Sequence, residues 1–96
     1  MRQLEVSARA ERDIHDLYRY GVVTYGVRPA DEYTRQLRQR MKQLADMPFL
    51  GVDRSDVRPD IRLLVFKAHN IPYRVNPDGV LIVRVLHRSA NWVKIL

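Results

Sequence analysis

Two stretches in the first half of the chain carry apolar residues at the three- and four-residue spacing of an amphipathic helix. The first covers about residues 8–25, and the second stops near Asp46 because Pro48 cannot continue it. Gly26 ends the first helix, and Pro29 suits the first turn of the second. A link this short predicts an antiparallel helical hairpin whose apolar seam needs a cover. The two stripes consist of Ala10, Ile14, Leu17, Tyr18, Gly21 and Tyr25, then Ala30, Tyr33, Leu37, Met41 and Leu44.

The rest of the chain supplies strands to cover that seam. Residues 2–6 alternate in polarity and precede Ser7, a suitable helix cap. Residues 47–60 read as a loop, and the apolar runs 61–66, 68–75 and 79–87 read as strands. In "NPDG" (76–79) the Pro-Asp pair fits a type I turn, with Gly79 as a left-handed residue closing a bulged hairpin. We predict an α+β fold of order β-α-α-β-β-β, with a mostly antiparallel sheet and the helical hairpin on one face.

Composition limits the class of protein. Ninety-six residues make one domain, 1–96, and the absence of cysteine gives no reason to expect an oxidising compartment, so a cytoplasmic protein is expected. No run is long enough to span a membrane. Three scattered histidines give no metal site, and no cofactor is expected. The net charge of +6 implies an anionic partner or a solvated arginine-rich surface, and the sequence leaves both open.

Three stretches, in this order and covering nearly the whole chain, resemble the ParE/RelE superfamily of toxins from type II toxin–antitoxin systems. They are "SARAERDIHDLYRYGVVTYG", "RPDIRLLVFKAHNIPYRV" and "GVLIVRVLHRSANW". The resemblance implies a RelE-like fold and a ParD-like antitoxin as partner. Pro72 departs from the family pattern, and because proline cannot donate to a β-ladder we expect its strand to be interrupted, bulged or facing away from a neighbour there.

The superfamily includes two activities. RelE-type members cut mRNA on the ribosome, commonly with an Arg and a Tyr after the last strand, whereas ParE-type members poison DNA gyrase by protein contact. Here "HRSANWVKIL" contains no Tyr, and Ser89 and Trp92 stand about where the nuclease pattern has its Arg and Tyr. The resemblance therefore implies a gyrase-inhibiting toxin without catalytic residues. The alternative is a ribosome-dependent mRNA endonuclease using Arg84, His87 and Arg88. A small nucleic-acid-binding module that uses the net charge of +6 is a third reading. The main reading expects no direct sequence-specific DNA binding.

Period-two alternation separates two of those candidates. In a regular strand Arg84 shares a face with Val80 and Ile82, whereas His87 lies on the other face. Arg62, Arg74 and Arg84 occupy successive strands, so they form a cationic surface if they share the sheet face opposite the helices; otherwise each is exposed on its own. We predict that Arg84→Ala spares folding and weakens toxicity or antitoxin binding, whereas loss of the fold would show that Arg84 is structural.

The remaining candidates for partner binding lie on the second helix and in the C-terminal tail. Arg35 and Arg38 belong to a basic row on the second helix, which is either a solvated face or a docking surface for the antitoxin. Arg88 and Trp92 are expected in a basic tail that reaches the surface. Tyr18, Tyr25 and Tyr33 are expected in the seam between the helices and the sheet.

Overall fold

The computed structural model describes residues 3–96, and within that range a helical hairpin packs on one face of a six-stranded mixed sheet. The predicted α+β class is confirmed. Along the chain the elements are β1 (Gln3–Val6), α1 (Ala8–Tyr25), α2 (Val27–Asp46), β2 (Val52–Asp53), β3 (Ile61–Phe66), β4 (His69–Asn76), β5 (Gly79–Ile82), β6 (Leu86–His87) and α3 (Trp92–Ile95).

The helix ends follow the local signals in the sequence. The Ser7 hydroxyl accepts a hydrogen bond from the Ala10 N–H at 3.0 Å and so caps α1. Gly26, with φ of 99°, separates the two helices. Helix α2 begins at Val27, so that Pro29 lies in its first turn as predicted.

The sheet has the order β1-β5-β4-β3-β2, and β6 pairs with β4. Strand β1 runs parallel to β5, and the other pairs are antiparallel. The core lies between this sheet and the helices, where Leu37, Met41 and Leu44 of α2 meet Ile71 and Tyr73 of β4. This arrangement covers the apolar seam of the hairpin.

Several predicted boundaries need correction. Residues 47–60 are not all loop, because Val52 and Asp53 pair with Leu63 and Arg62 as β2. The predicted strand 68–75 is found at 69–76. Of the first predicted strand, 2–6, residue 2 lies outside the described part of the chain.

Gly79 has a different role from the one predicted. Asn76 pairs with Gly79, so Pro77 and Asp78 form a two-residue turn, and Gly79 does not have a positive φ. A Cβ at Gly79 would lie 2.0 Å from the Gln3 carbonyl oxygen. The glycine is needed because β1 passes close beside it, and the predicted bulged hairpin is wrong.

The predicted strand 79–87 is interrupted at residues 83–85. The Pro72 carbonyl accepts from both the Val83 and the Arg84 N–H, at 3.0 and 3.4 Å. Tyr73 lies opposite Ile82 and His69 lies opposite His87, so the second strand carries one extra residue. Pro72 has no N–H to donate to residues 83–85. The hydrogen-bonded ladder is therefore interrupted in that neighbouring segment, opposite Pro72.

The extra residue changes which side chains share a face. Ile82 and His87 both lie on the helix-covered face, although regular alternation puts them on opposite faces. The predicted alternation of residues 80–88 is therefore wrong after Ile82.

In residues 3–96 no helix has the length and apolar character needed to cross a bilayer.

Candidate protein-contact sites

Arg84 lies in a partly enclosed ion pair with Asp13 of α1. Its Nε donates to Asp13 Oδ2 at 2.8 Å and its Nη2 donates to Oδ1 at 3.2 Å. The side chains of Arg84 and Asp13 are 15% and 7% exposed. The Val85 N–H donates to the same carboxylate at 3.0 Å, and Arg9 lies 3.2 Å from it. Asp13 therefore connects the start of α1 to the interrupted strand.

This ion pair changes the interpretation of Arg84. Removing one partner of a buried pair leaves the other charge desolvated, which costs several kcal/mol. The expectation that Arg84→Ala spares folding assumed a surface arginine, and the Asp13 contact removes that basis. Asp13 itself was missed, because it borders the apolar stripe of α1 and its partner lies 71 residues away in sequence.

Arg62, Arg74 and Arg84 do not form one cationic sheet face, so the first of the two open readings does not hold. Arg62 lies opposite Tyr73 and Arg74 lies opposite Ile61, which places Arg62 and Arg74 on opposite faces. Arg62 donates to the Gly51 carbonyl at 3.1 Å from Nε and 2.7 Å from Nη2, and its guanidinium lies 5.2 Å from the Phe49 ring. Arg74 is exposed and forms no ion pair with the described residues.

Trp92 is buried, so the prediction that it reaches the surface is wrong. It is the first residue of α3 and is only 7% exposed. The Arg54 guanidinium lies 5.1 Å from the centre of its ring, and Arg54 also pairs with Asp56 at 2.9 Å. Trp92 thus fastens the C-terminal helix to the loop before β3.

Two members of the predicted basic row on α2, Arg35 and Arg38, pair with acidic side chains of the same molecule. Arg35 pairs with Glu32 one turn earlier, and this contact and Gln36 lower the pKa of Glu32 to about 2. Arg38 donates to both carboxylate oxygens of Glu11 on α1, at 3.1 and 2.9 Å, and lowers the pKa of Glu11. These pairs are exposed, so a docking role for Arg35 and Arg38 stays a prediction.

His69 and His87 meet at the start of β4, a pairing that the sequence did not reveal. Their ring centres are 5.5 Å apart in an edge contact. The Tyr33 hydroxyl lies 2.7 Å from His69 Nδ1, and the Ser89 Oγ lies 2.7 Å from His87 Nδ1. Burial, with His87 as a second cause, lowers the pKa of His69, so its neutral form is favoured.

A groove of about 390 Å³ opens between these histidines and the end of the helical hairpin where α1 turns into α2. We call it the aromatic groove and define it by Tyr20, Tyr25, Tyr33, His69 and His87. Tyr20 and Tyr25 are 65% and 69% exposed, so the expectation that Tyr25 lies in the buried seam is wrong. Exposed aromatic residues that line a concave surface are typical of protein-contact sites.

Two cations lie beside the aromatic groove. The Lys67 ammonium is 5.8 Å from the centre of the Tyr33 ring and 5.3 Å from that of Phe66. Arg88 is exposed, and its charge opposes the rise that burial causes in the pKa of Tyr33. The groove therefore combines an apolar wall with a basic rim.

Among residues 3–96, no three histidine or acidic side chains are grouped so as to hold a metal ion.

Comparison with known proteins gives one consistent result. A family model described as "ParE toxin of type II toxin-antitoxin system, parDE" matches residues 4–92. Toxin ParE1 of Caulobacter vibrioides is 33% identical over 91 residues, which cover 95% of this chain and 94% of that protein. Toxin ParE1 of Mycobacterium tuberculosis is 30% identical over 87 residues, which cover 90% and 89% respectively.

A solved structure shares the fold. It is described as "Chromosomal ParDE TA system from P. aeruginosa" and aligns with a TM-score of 0.80. The alignment covers 91% of this chain and 96% of that chain at 24% sequence identity. The hairpin-on-sheet architecture is thus the same in both proteins.

Proposed function

Because this chain belongs to the ParE toxin family and is the toxin component of a type II toxin–antitoxin system, we propose that it inhibits DNA gyrase through protein contacts and is neutralised by a ParD-like antitoxin. The gyrase target rests on membership of the ParE family. Arg84 supports action by contact over phosphate chemistry, since Asp13 already engages its guanidinium. The aromatic groove carries the antitoxin part of the proposal, because it offers exposed aromatic side chains on a concave surface.

The antitoxin is the occupant that we assign to the aromatic groove. An amphipathic helix can place its apolar side chains against Tyr20 and Tyr25, as helices do in other apolar grooves. Acidic side chains at the edge of that helix would meet Lys67 and Arg88. An acidic amphipathic arm of the antitoxin has the matching chemistry.

The proposal is tested with purified free toxin in a gyrase supercoiling assay. The expected result is dose-dependent loss of supercoiling, which a stoichiometric amount of the cognate antitoxin restores. A topoisomerase of another class serves as the control and should be unaffected. Normal supercoiling at a large excess of active, folded toxin would contradict gyrase as the target.

The histidine pair favours a second candidate function, ribosome-dependent mRNA cleavage. Cleavage through the ribose 2′-OH needs a proton acceptor, a proton donor and a cation for the phosphate. His69 is biased toward its neutral form, His87 lies beside it, and Arg88 follows directly. This set differs from the one read from the sequence, because His69 takes the place of Arg84.

Primer extension on ribosome-bound mRNA distinguishes this candidate. Cuts in codon register that disappear in His87→Ala and in His69→Ala would support the nuclease. Under the gyrase proposal the wild-type toxin produces no such cuts, and His15→Gln, which changes an exposed histidine of α1, serves as the matched control.

A further inference from the structure

A second concavity, of about 360 Å³, shares no lining residue with the aromatic groove. We call it the arginine cleft and define it by Arg9, Arg58, Arg74 and Arg84, which all line it. It extends from the start of α1 to the sheet face away from the helices, where Arg74 lies opposite Ile61. Its apolar wall is formed by Ile61, Val83, Ile95 and Leu96.

The cleft has a large excess of positive charge. Arg9 and Arg84 share one carboxylate, that of Asp13. Arg58 and Arg74 are exposed and form neither an ion pair nor a side-chain hydrogen bond with residues 3–96. No acidic side chain of the described residues lines the cleft. Two of the four guanidinium groups therefore have all their donors free for a ligand.

The surroundings fix the Arg84 side chain and the backbone of the loop that carries Arg58. Asp13 fixes Arg84 from two directions, through the guanidinium and through the Val85 N–H. The loop that carries Arg58 is closed by hydrogen bonds from the Arg54 N–H to the Ile61 carbonyl at 2.9 Å and from the Ile61 N–H to the Arg58 carbonyl at 3.2 Å. A preformed arrangement lowers the entropy cost of binding.

We propose that the arginine cleft binds an acidic, amphipathic peptide segment of a partner protein. Carboxylates of the segment pair with the planar forks of Arg58 and Arg74, a geometry that guanidinium groups favour. An apolar side chain between those carboxylates lies against Ile95, which is 44% exposed. The cleft stays open when the aromatic groove is filled, so it provides a second contact surface whichever target the toxin has.

The apolar wall favours a peptide over nucleic acid. Binding to a nucleic-acid backbone draws on cations placed along a track of phosphates and gains little from aliphatic side chains. Here the four arginines surround one concavity that also contains four aliphatic residues. A segment with alternating acidic and apolar side chains matches both features.

Fluorescence anisotropy with the full chain tests the proposal. The probe is a short labelled peptide of alternating glutamate and leucine, and a glutamine–leucine peptide serves as the uncharged comparison. We expect the double variant Arg58→Gln/Arg74→Gln to weaken binding of the glutamate probe by at least about tenfold, as expected for loss of hydrogen bonds to charged groups. Arg58→Lys/Arg74→Lys keeps the charge but removes the forks, so its affinity should be intermediate.

The matched control is Arg19→Gln/Arg28→Gln, which removes two exposed guanidinium groups near the other end of the helical hairpin. It should change the affinity by less than about twofold, because distant exposed charges are screened by salt. Equal losses in both double variants would overturn the proposal, since they would show attraction to net charge alone. Equal binding of the uncharged peptide would also overturn it. Tighter binding of duplex DNA that depends on Arg58 and Arg74 would assign the cleft to nucleic acid instead.

Discussion

The aromatic groove and the arginine cleft are concavities of similar size, about 390 and 360 Å³, but opposite chemistry. In the groove apolar and aromatic side chains form the wall, and cations stand only at the rim. In the cleft four arginines lie around an aliphatic wall, and the Asp13 carboxylate holds two of them. The exposed tyrosines of the groove, Tyr20 and Tyr25, can therefore be changed with little effect on stability, whereas part of the cleft supports the fold.

The largest expected effect tests this structural role. Asp13→Asn leaves the Arg84 guanidinium without its counter-charge in a site where the arginine side chain is 15% exposed. We expect the free energy of unfolding, measured by urea denaturation, to fall by about 3–5 kcal/mol. Asp16→Asn, an exposed carboxylate on the same helix, is the matched control and should stay within about 0.5 kcal/mol. Equal effects of the two changes would show that the ion pair does not support the fold.

The next effect concerns the groove. Tyr20→Ser/Tyr25→Ser removes two exposed aromatic side chains from its wall. Affinity for the cognate antitoxin, measured by calorimetry, should fall about 10- to 100-fold with little change in stability, because aromatic anchors dominate such contacts. In cells this variant should stay toxic when the antitoxin is present.

Val23→Ser/Val27→Ser is the matched control for the tyrosine variant. These valines are 87% and 56% exposed and do not line the groove, so antitoxin affinity should be unchanged. Loss of toxicity in the tyrosine variant would instead place the target contact in the groove. An unchanged antitoxin affinity would contradict the assignment of the groove to the antitoxin.

A smaller effect is expected at His69 of the aromatic groove, in the way that the free energy of unfolding depends on pH. Burial lowers the pKa of His69 below its ordinary value near 6.5, so the unfolded chain binds a proton more readily than the folded one. The stability due to neutral His69 is present above about pH 6.5 and is lost as the pH falls through the lowered pKa. The wild type should therefore lose stability between about pH 7 and pH 5, and His69→Gln should lose less. The difference in the free energy of unfolding should stay below about 1 kcal/mol, since the ring is only partly shielded from solvent.

Urea denaturation over that pH range measures this contribution. His15→Gln, at an exposed position on α1, is the comparison and should leave the pH profile of the wild type unchanged. If both variants have the same profile as the wild type, His69 does not contribute to the acid response.

The smallest effect is expected at the exposed pair between the helices. Glu11→Gln removes the contact with Arg38, whose side chain is 41% exposed against 47% for Glu11. The free energy of unfolding should fall by about 0.2–1 kcal/mol in low salt, and the difference should shrink in high salt. A loss as large as that of Asp13→Asn would remove the distinction between a supporting ion pair and a surface one.

Much of the fold could be predicted because the relevant signals are local. Gly26 ends α1 and Ser7 caps it, and the predicted span 8–25 of that helix is confirmed. The interruption expected from Pro72 is present, but in the neighbouring strand, because the missing N–H deprives a partner carbonyl of its donor. That displaced break shifts the alternation by one residue and brings His87 beside His69.

The helical hairpin and the strands other than β2 could be read from the sequence, because periodicity, caps and turns act between near neighbours. The family came from the resemblance of three stretches of the chain. The sequence did not show which charges are engaged and which are free. Arg74 and Arg84 look equivalent in the sequence, yet Arg84 pairs with Asp13 and Arg74 remains exposed. The reason is that ion pairs and faces depend on residues far apart in sequence, and here one extra residue in a strand changed both.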